Sequence, residues 1–206
     1  HHRQNQQQRK RLLANVHNEK AQSEKAIAEI NESIKAMEAL YARLEKEAEE
    51  RAKKREEQNQ PAITFSGDGK LTDASKGKLP WPINGAIKRK FGKVQHPQFK
   101  TYILNNGIDI VAKIGTPVKA VADGEVVFSD WMPGYGMLII LDHGNGFHTS
   151  YSHNSELLVS AGTIVKQTQV IAYSGNTGSV MGALLHFEIR KEGQAQDPLK
   201  WLQKPS

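Results

Sequence analysis

Asn105-Asn106-Gly107-Ile108-Asp109 and Leu184-Leu185-His186-Phe187-Glu188 decide the reading of this chain. Residues two and four apart in a strand share a face. Asn105 and Asp109 are therefore expected to point the same way, with Gly107 leaving the backbone between them uncovered. Leu184 and His186 share a face of a second strand. Opposed, the two faces make a small cleft with one carboxylate, one imidazole, one amide and one leucine. With histidine at 105 and 184 the same pattern would be a zinc site, His and Asp on one strand and His-x-His on the other. Two of those four groups are missing.

The 206 residues suffice for one or two domains with a real core. There is no cysteine, hence no disulfide framework, thiolate metal site or cysteine nucleophile. A net charge of +6 and a pI near 9.4 suit an anionic polymer or surface. No dense Lys/Arg run interleaved with aromatics is present, which argues against nucleic acid. No stretch reaches the roughly 20 apolar residues of a membrane span, and there is no signal-peptide pattern. A start within a helical pattern, His1-His2-Arg3-Gln4, suggests a fragment with its native N-terminus and any export signal upstream.

From Arg3 to Gln58 there is neither Pro nor Gly, and helix formers dominate. Leu13, Val16, Ile27, Ile30, Ile34, Met37, Tyr41, Leu44 and Ala48 recur in steps dominated by three and four. They form a heptad seam interrupted at Lys20 and Ser23. At 1.5 Å per residue the helix reaches about 80 Å. So narrow a seam predicts a partner helix, in cis or in trans. Pro61 is expected to stop the helix, and 61–79 reads as a flexible linker. The division is thus 1–60 coiled-coil helix, 61–79 linker and 80–206 β domain.

Beyond Trp81, Val118-Lys119-Ala120-Val121, Glu125 to Phe128, Met137 to Leu141 and Gln169 to Tyr173 are strand-like. Asp123-Gly124, Gly144-Asn145-Gly146 and Gly175-Asn176-Thr177-Gly178 supply turns. This predicts a mainly antiparallel β domain, a sandwich or partly open barrel.

Residues 80–206 resemble the LytM-type (lysostaphin-like) zinc endopeptidase domain. The matching phrases are Gly107-Ile108-Asp109-Ile110, Gly115-Thr116-Pro117-Val118, Ala122 to Val126, Tyr151-Ser152-His153, Gly175 to Gly178 and His186 to Arg190. The upstream helix, Trp131 followed by Gly134-Tyr135-Gly136, and the ending from Gly193 to Trp201-Leu202 resemble more particularly the EnvC family of murein hydrolase activators. That resemblance implies a periplasmic protein without hydrolytic activity and without a cofactor. It implies a peptidoglycan amidase bound through the groove at cell division, and an FtsEX-type membrane complex bound through the coiled coil. Peptidoglycan itself is a further candidate partner.

Against the active pattern, Asn105 replaces a metal-ligand histidine and Leu184 a catalytic one, while Asp109 and His186 keep ligand positions. His153 keeps the other catalytic position. Two protein ligands are too few for zinc. The resemblance places the partner groove along Asn106, Asp109, Tyr135, Leu138, Leu184, His186 and Arg190. Tyr and Arg are frequent interface anchors. His143, His148 and His96 read as hydrogen-bonded structural histidines. The competing functions are a zinc-dependent peptidoglycan endopeptidase with a substitute ligand, and a wall-binding structural module.

Overall fold

The computed structural model describes residues 2–61, 63–65, 69–95 and 101–204. The chain opens with helix α1 (His2–Glu57). Asn59, at a φ of 51°, ends it two residues before Pro61. Gln60 N–H donates to the carbonyl of Arg55 and Asn59 N–H to that of Glu56. That pair of bonds is a Schellman cap, so the stop lies in the left-handed Asn59 and not in the proline.

Twelve strands follow among the described residues. They are β1 (Ile87–Arg89), β2 (Gly92–Gln95), β3 (Tyr102–Asn105), β4 (Ile108–Val111), β5 (Pro117–Lys119) and β6 (Gly124–Met132). Then come β7 (Gly136–Asp142), β8 (Phe147–Leu157), β9 (Ile164–Val165), β10 (Val170–Ser174), β11 (Leu184–Lys191) and β12 (Gln194–Gln196). Ten form one sheet along the path β1-β4-β11-β8-β7-β6-β9, with β5, β10 and β12 attached to its side, and β2 and β3 form a separate ribbon. Every strand pairing among the described residues is antiparallel.

The alternation of side chains divides the sheet into two unlike faces. Ile139 and Leu141 of β7, Phe147 and Tyr151 of β8, and Leu185, Phe187 and Ile189 of β11 enter the main core with Leu71, Leu79, Ile83 and Trp201. The opposite face carries Leu138 and Ile140, then His148, Ser150 and Ser152, then His186, Glu188 and Arg190. All of these are buried too. What buries much of that second face is α1. Met37, Leu40, Tyr41 and Leu44 form one cluster with Met132, Tyr135, Leu138 and Ile140.

The seam residues of the C-terminal half of α1 therefore meet a sheet and not a second helix. Each large side chain so buried is worth about 1.5–3 kcal/mol, which a solvated charged helix would not gain. A Cβ on Gly134, in the turn after β6, would sit 2.2 Å from Ser33 Oγ, so only glycine permits the helix to lie this close. In the N-terminal half, Leu12, Leu13 and Val16 remain exposed. The segment read as linker is also tied down from Gly69 onward. Gly69 accepts from Asp123 N–H, Leu71 is fully buried, and Leu79 pairs with Trp201 and Gln203 through its backbone.

Candidate functional site

β11 supplies the floor of the site. Its period of two places Leu184, His186, Glu188 and Arg190 on the face away from the main core. β4 lies beside it with Asp109 opposite His186. Asn105, however, is not on the strand of Asp109. It ends β3, the chain bends at Asn106-Gly107, and β4 begins at Ile108. A Cβ on Gly107 would fall 2.2 Å from the Phe187 carbonyl oxygen, so the bend is pressed against β11 and has room for glycine alone. The Asn105 side chain is consumed locally: its amide donates to the carbonyls of Lys90 and Gly107, both at 3.0 Å.

The charged groups run in one unbroken row. Arg89 Nε donates to Asp109 Oδ2, and His186 Nδ1 meets Asp109 Oδ1 at 2.6 Å. His186 Nε2 meets Glu188 Oε1 at 3.0 Å, and Arg190 Nε donates to Glu188 Oε2 at 3.0 Å. Signs alternate from end to end. Burial alone would push the His186 imidazole down, but hydrogen bonds and charge from Asp109 and Glu188 raise it to about 9. Burial likewise opposes ionisation of Asp109, and His186 with Arg89 overcomes it and holds the carboxyl near 2. His186 is therefore an imidazolium, donating from both nitrogens.

His153 stands over this row. Its backbone is left-handed, with a φ of 65°, an uncommon conformation for a residue with a Cβ. Its Nδ1 faces the Thr177 carbonyl at 2.7 Å and must be the donor there, which leaves Nε2 as an acceptor. Burial, aided by the positive His186, pushes its pKa down to about 4. The two rings are 6.2 Å apart between centroids.

A cleft of about 630 Å³ opens above the row, with β-domain residues on one side and Ala26, Ile30 and Ile34 of α1 on the other. Among the residues expected at the groove, Asn106, Tyr135, Leu184 and His186 line it, together with Asn105 at the lost ligand position and His153 at the remnant catalytic one. Three expected groove residues lie elsewhere. Asp109 is wholly buried behind Arg89 and His186. Leu138 is wholly buried in the cluster under α1. Arg190 is buried as well, stacked with its guanidinium carbon 4.3 Å from the Tyr41 ring centre. Even Tyr135 is only 8% exposed.

The lone histidines divide. His143 is satisfied, its Nδ1 2.6 Å from the Asp123 carbonyl and its Nε2 2.8 Å from Thr149 Oγ1. His148 has neither nitrogen hydrogen-bonded, and its 3.9 Å approach to Asp142 is too long for one. Burial keeps it neutral, packed edge-on to Tyr41. His96 lies outside the described residues.

Two participants lie outside the site residues expected from the sequence. Arg89 sits in Ile87-Lys88-Arg89-Lys90, which reads as a solvated basic stretch; only the pairing of β1 with β4 brings it to Asp109. Glu188 belongs to the strand that carries His186, two residues on, and the alternation of that strand was the available signal.

These residues do not suit a metal ion. Asn105 is turned into backbone carbonyls, Asp109 is held by a guanidinium, and both nitrogens of His186 are engaged by carboxylates. Among the described residues no group of three or more His, Cys, Asp or Glu is disposed to hold one.

Residues 104–198 match peptidase family M23. The β domain belongs to that family. Over 216 aligned residues the chain is 33% identical to the murein hydrolase activator EnvC of Escherichia coli K12, covering 95% of this chain and 50% of the relative. It is 37% identical to the murein hydrolase activator NlpD of Salmonella typhimurium, over 64% of this chain and 33% of that protein. The chain thus spans half or less of these relatives. A zinc-containing peptidase from Vibrio cholerae has the same fold, with a TM-score of 0.57 and 29% identity over 68% of this chain and 46% of that one. The M23 domain here is EnvC-like.

Proposed function

We propose that this chain is a non-enzymatic activator of peptidoglycan amidases, acting in the periplasm during cell division and daughter-cell separation. The observation that carries the reading is the state of the M23 site. The cleft is retained and lined, while the metal-ligand position holds a hydrogen-bonded amide at Asn105 and the catalytic position a leucine at 184. Leucine can neither exchange a proton nor orient a water. Relatives named as murein hydrolase activators support the same conclusion.

In this reading the amidase is captured by the emptied cleft. Its floor, from Leu184 to His186, is apolar at one end and charged at the other, and its rim offers Leu104 and Val180 to solvent. Because α1 forms one wall through Ile30 and Ile34, a partner reaching Tyr135 has to move the helix aside. The exposed seam around Leu12, Leu13 and Val16 is the surface left for an FtsEX-type membrane complex or a further helix.

The test is murein dye release by a cognate amidase with and without this protein. Stimulation by a protein that releases nothing alone supports activation. Chelator-sensitive peptide release by the protein alone points to an endopeptidase, and binding to murein without stimulation points to a wall-binding module.

A further inference from the structure

Asp109 is a carboxylate with no exposed surface, and such a charge survives burial only beside compensating cations. In a zinc site the metal is that cation. Here both oxygens are already taken, Oδ1 by His186 and Oδ2 by Arg89. Arg89 is 22% exposed on its side chain and lines the cleft, whereas Asp109 does not. The guanidinium therefore stands between the carboxylate and the space from which an ion would arrive. Its strand fixes it there, since β1 pairs with β4 so that Arg89 is the partner of Asp109.

We propose that Arg89 is the resident cation of this site, a covalently tethered substitute for the metal. It neutralises Asp109, and through Asp109 it fixes His186 and the row that continues to Glu188 and Arg190. The cleft floor then has a defined shape whatever the supply of zinc. It also follows that the loss of the histidine at 105 is not the only obstacle to metal binding: with Arg89 in place, the Asp109 oxygens are not free to ligate. The inference concerns the architecture of the floor and holds whichever partner the cleft takes.

The test uses the full chain in four forms: unmodified, Asn105→His, Arg89→Ser, and Arg89→Ser/Asn105→His. Each is stripped of metal and titrated with zinc chloride by calorimetry, with the melting temperature recorded in parallel. The expected result is one zinc per chain in the double variant only, bound at least tenfold more tightly than by Asn105→His, with a zinc-dependent rise in its melting temperature. Arg89→Ser alone is expected to melt below the unmodified protein and not to be rescued by zinc. Equal zinc affinity in Asn105→His and the double variant, or no zinc binding by a folded double variant, overturns the proposal. So does an Arg89→Ser protein as stable as the original. If Arg89→Ser does not fold, Arg89→Ser/Asp109→Asn, which removes the buried charge with its partner, is expected to recover the fold. Failure of that variant to do so also overturns the proposal.

Discussion

The guanidinium of Arg190 lies 4.3 Å below the centre of the Tyr41 ring, so one helix residue caps the charged row that starts at Arg89. This contact joins α1 to β11 and removes Arg190 from solvent. A cation desolvated over an aromatic face is worth about 2 kcal/mol, and loss of a large buried ring costs about 3–5 kcal/mol. Tyr41→Ala is expected to lower stability by about 3 kcal/mol in urea denaturation and to make α1 susceptible to limited proteolysis. Resistance unchanged from the unmodified protein would count against the docked helix.

Arg190→Glu is expected to be more damaging than Tyr41→Ala. It deletes one of the two charged partners of Glu188, which is wholly buried, and adds a second acid two residues away. Breaking a buried pair by removing one member costs about 3–5 kcal/mol. The sequence alone suggests that Tyr135→Ala and Arg190→Glu test the groove without disturbing the fold. Their burial makes both of them stability variants instead, and a clear drop in melting temperature checks this.

Rim residues provide the cleaner test of the groove. Leu104 is 57% exposed and Val180 79% exposed, and both line the cleft. Leu104→Asp and Val180→Asp are expected to leave the melting temperature within a degree or two, as surface changes usually stay within about 0.5 kcal/mol. Amidase stimulation is expected to fall by roughly tenfold or more if either contact is central. Unchanged stimulation by both would place the interface elsewhere.

The titration of the site has a definite sign. His186 is raised to about 9, so its contribution is complete below the ordinary histidine value near 6.5 and is lost as pH rises through about 9. His153 and His143 are each pushed down to about 4, so theirs is present above 6.5 and lost as pH falls through 4. Stability is expected to be greatest between these limbs. His186→Gln is expected to flatten the alkaline limb and spare the acid one, measured by urea midpoints from pH 5 to 10.

Ile30→Asp and Ile34→Asp distinguish the two uses of the seam. If it pairs helices only with one another, these changes leave the β domain untouched. With both residues lining the cleft, they are expected to loosen α1 and raise amidase stimulation. Association state by ultracentrifugation and dye release on the same samples separate the two.

The β domain was legible because its signals are local: short apolar runs at Met137–Leu141 and Glu125–Phe128, turns at Gly144-Asn145-Gly146, and the phrases around Asp109 and His186. Asn105 was misplaced because Gly107 permits a bend that strand periodicity does not register. The seat of α1 was hidden for a different reason. Met37, Tyr41 and Leu44 recur at the spacing of a coiled coil, and spacing specifies an apolar stripe, not whether a helix or a sheet covers it. Arg89 needed the register of β1 on β4, a non-local fact that no short motif carries.

Dye release from labelled murein tests most directly whether the cleft captures an amidase and performs no hydrolysis of its own. The samples are the amidase alone, this protein alone, both together, and the amidase with Val180→Asp. The expected result is no release by the protein alone, strong stimulation of the amidase, and loss of most of that stimulation with the variant. Release of murein by the protein alone, or full stimulation by the variant together with Leu104→Asp, would contradict it.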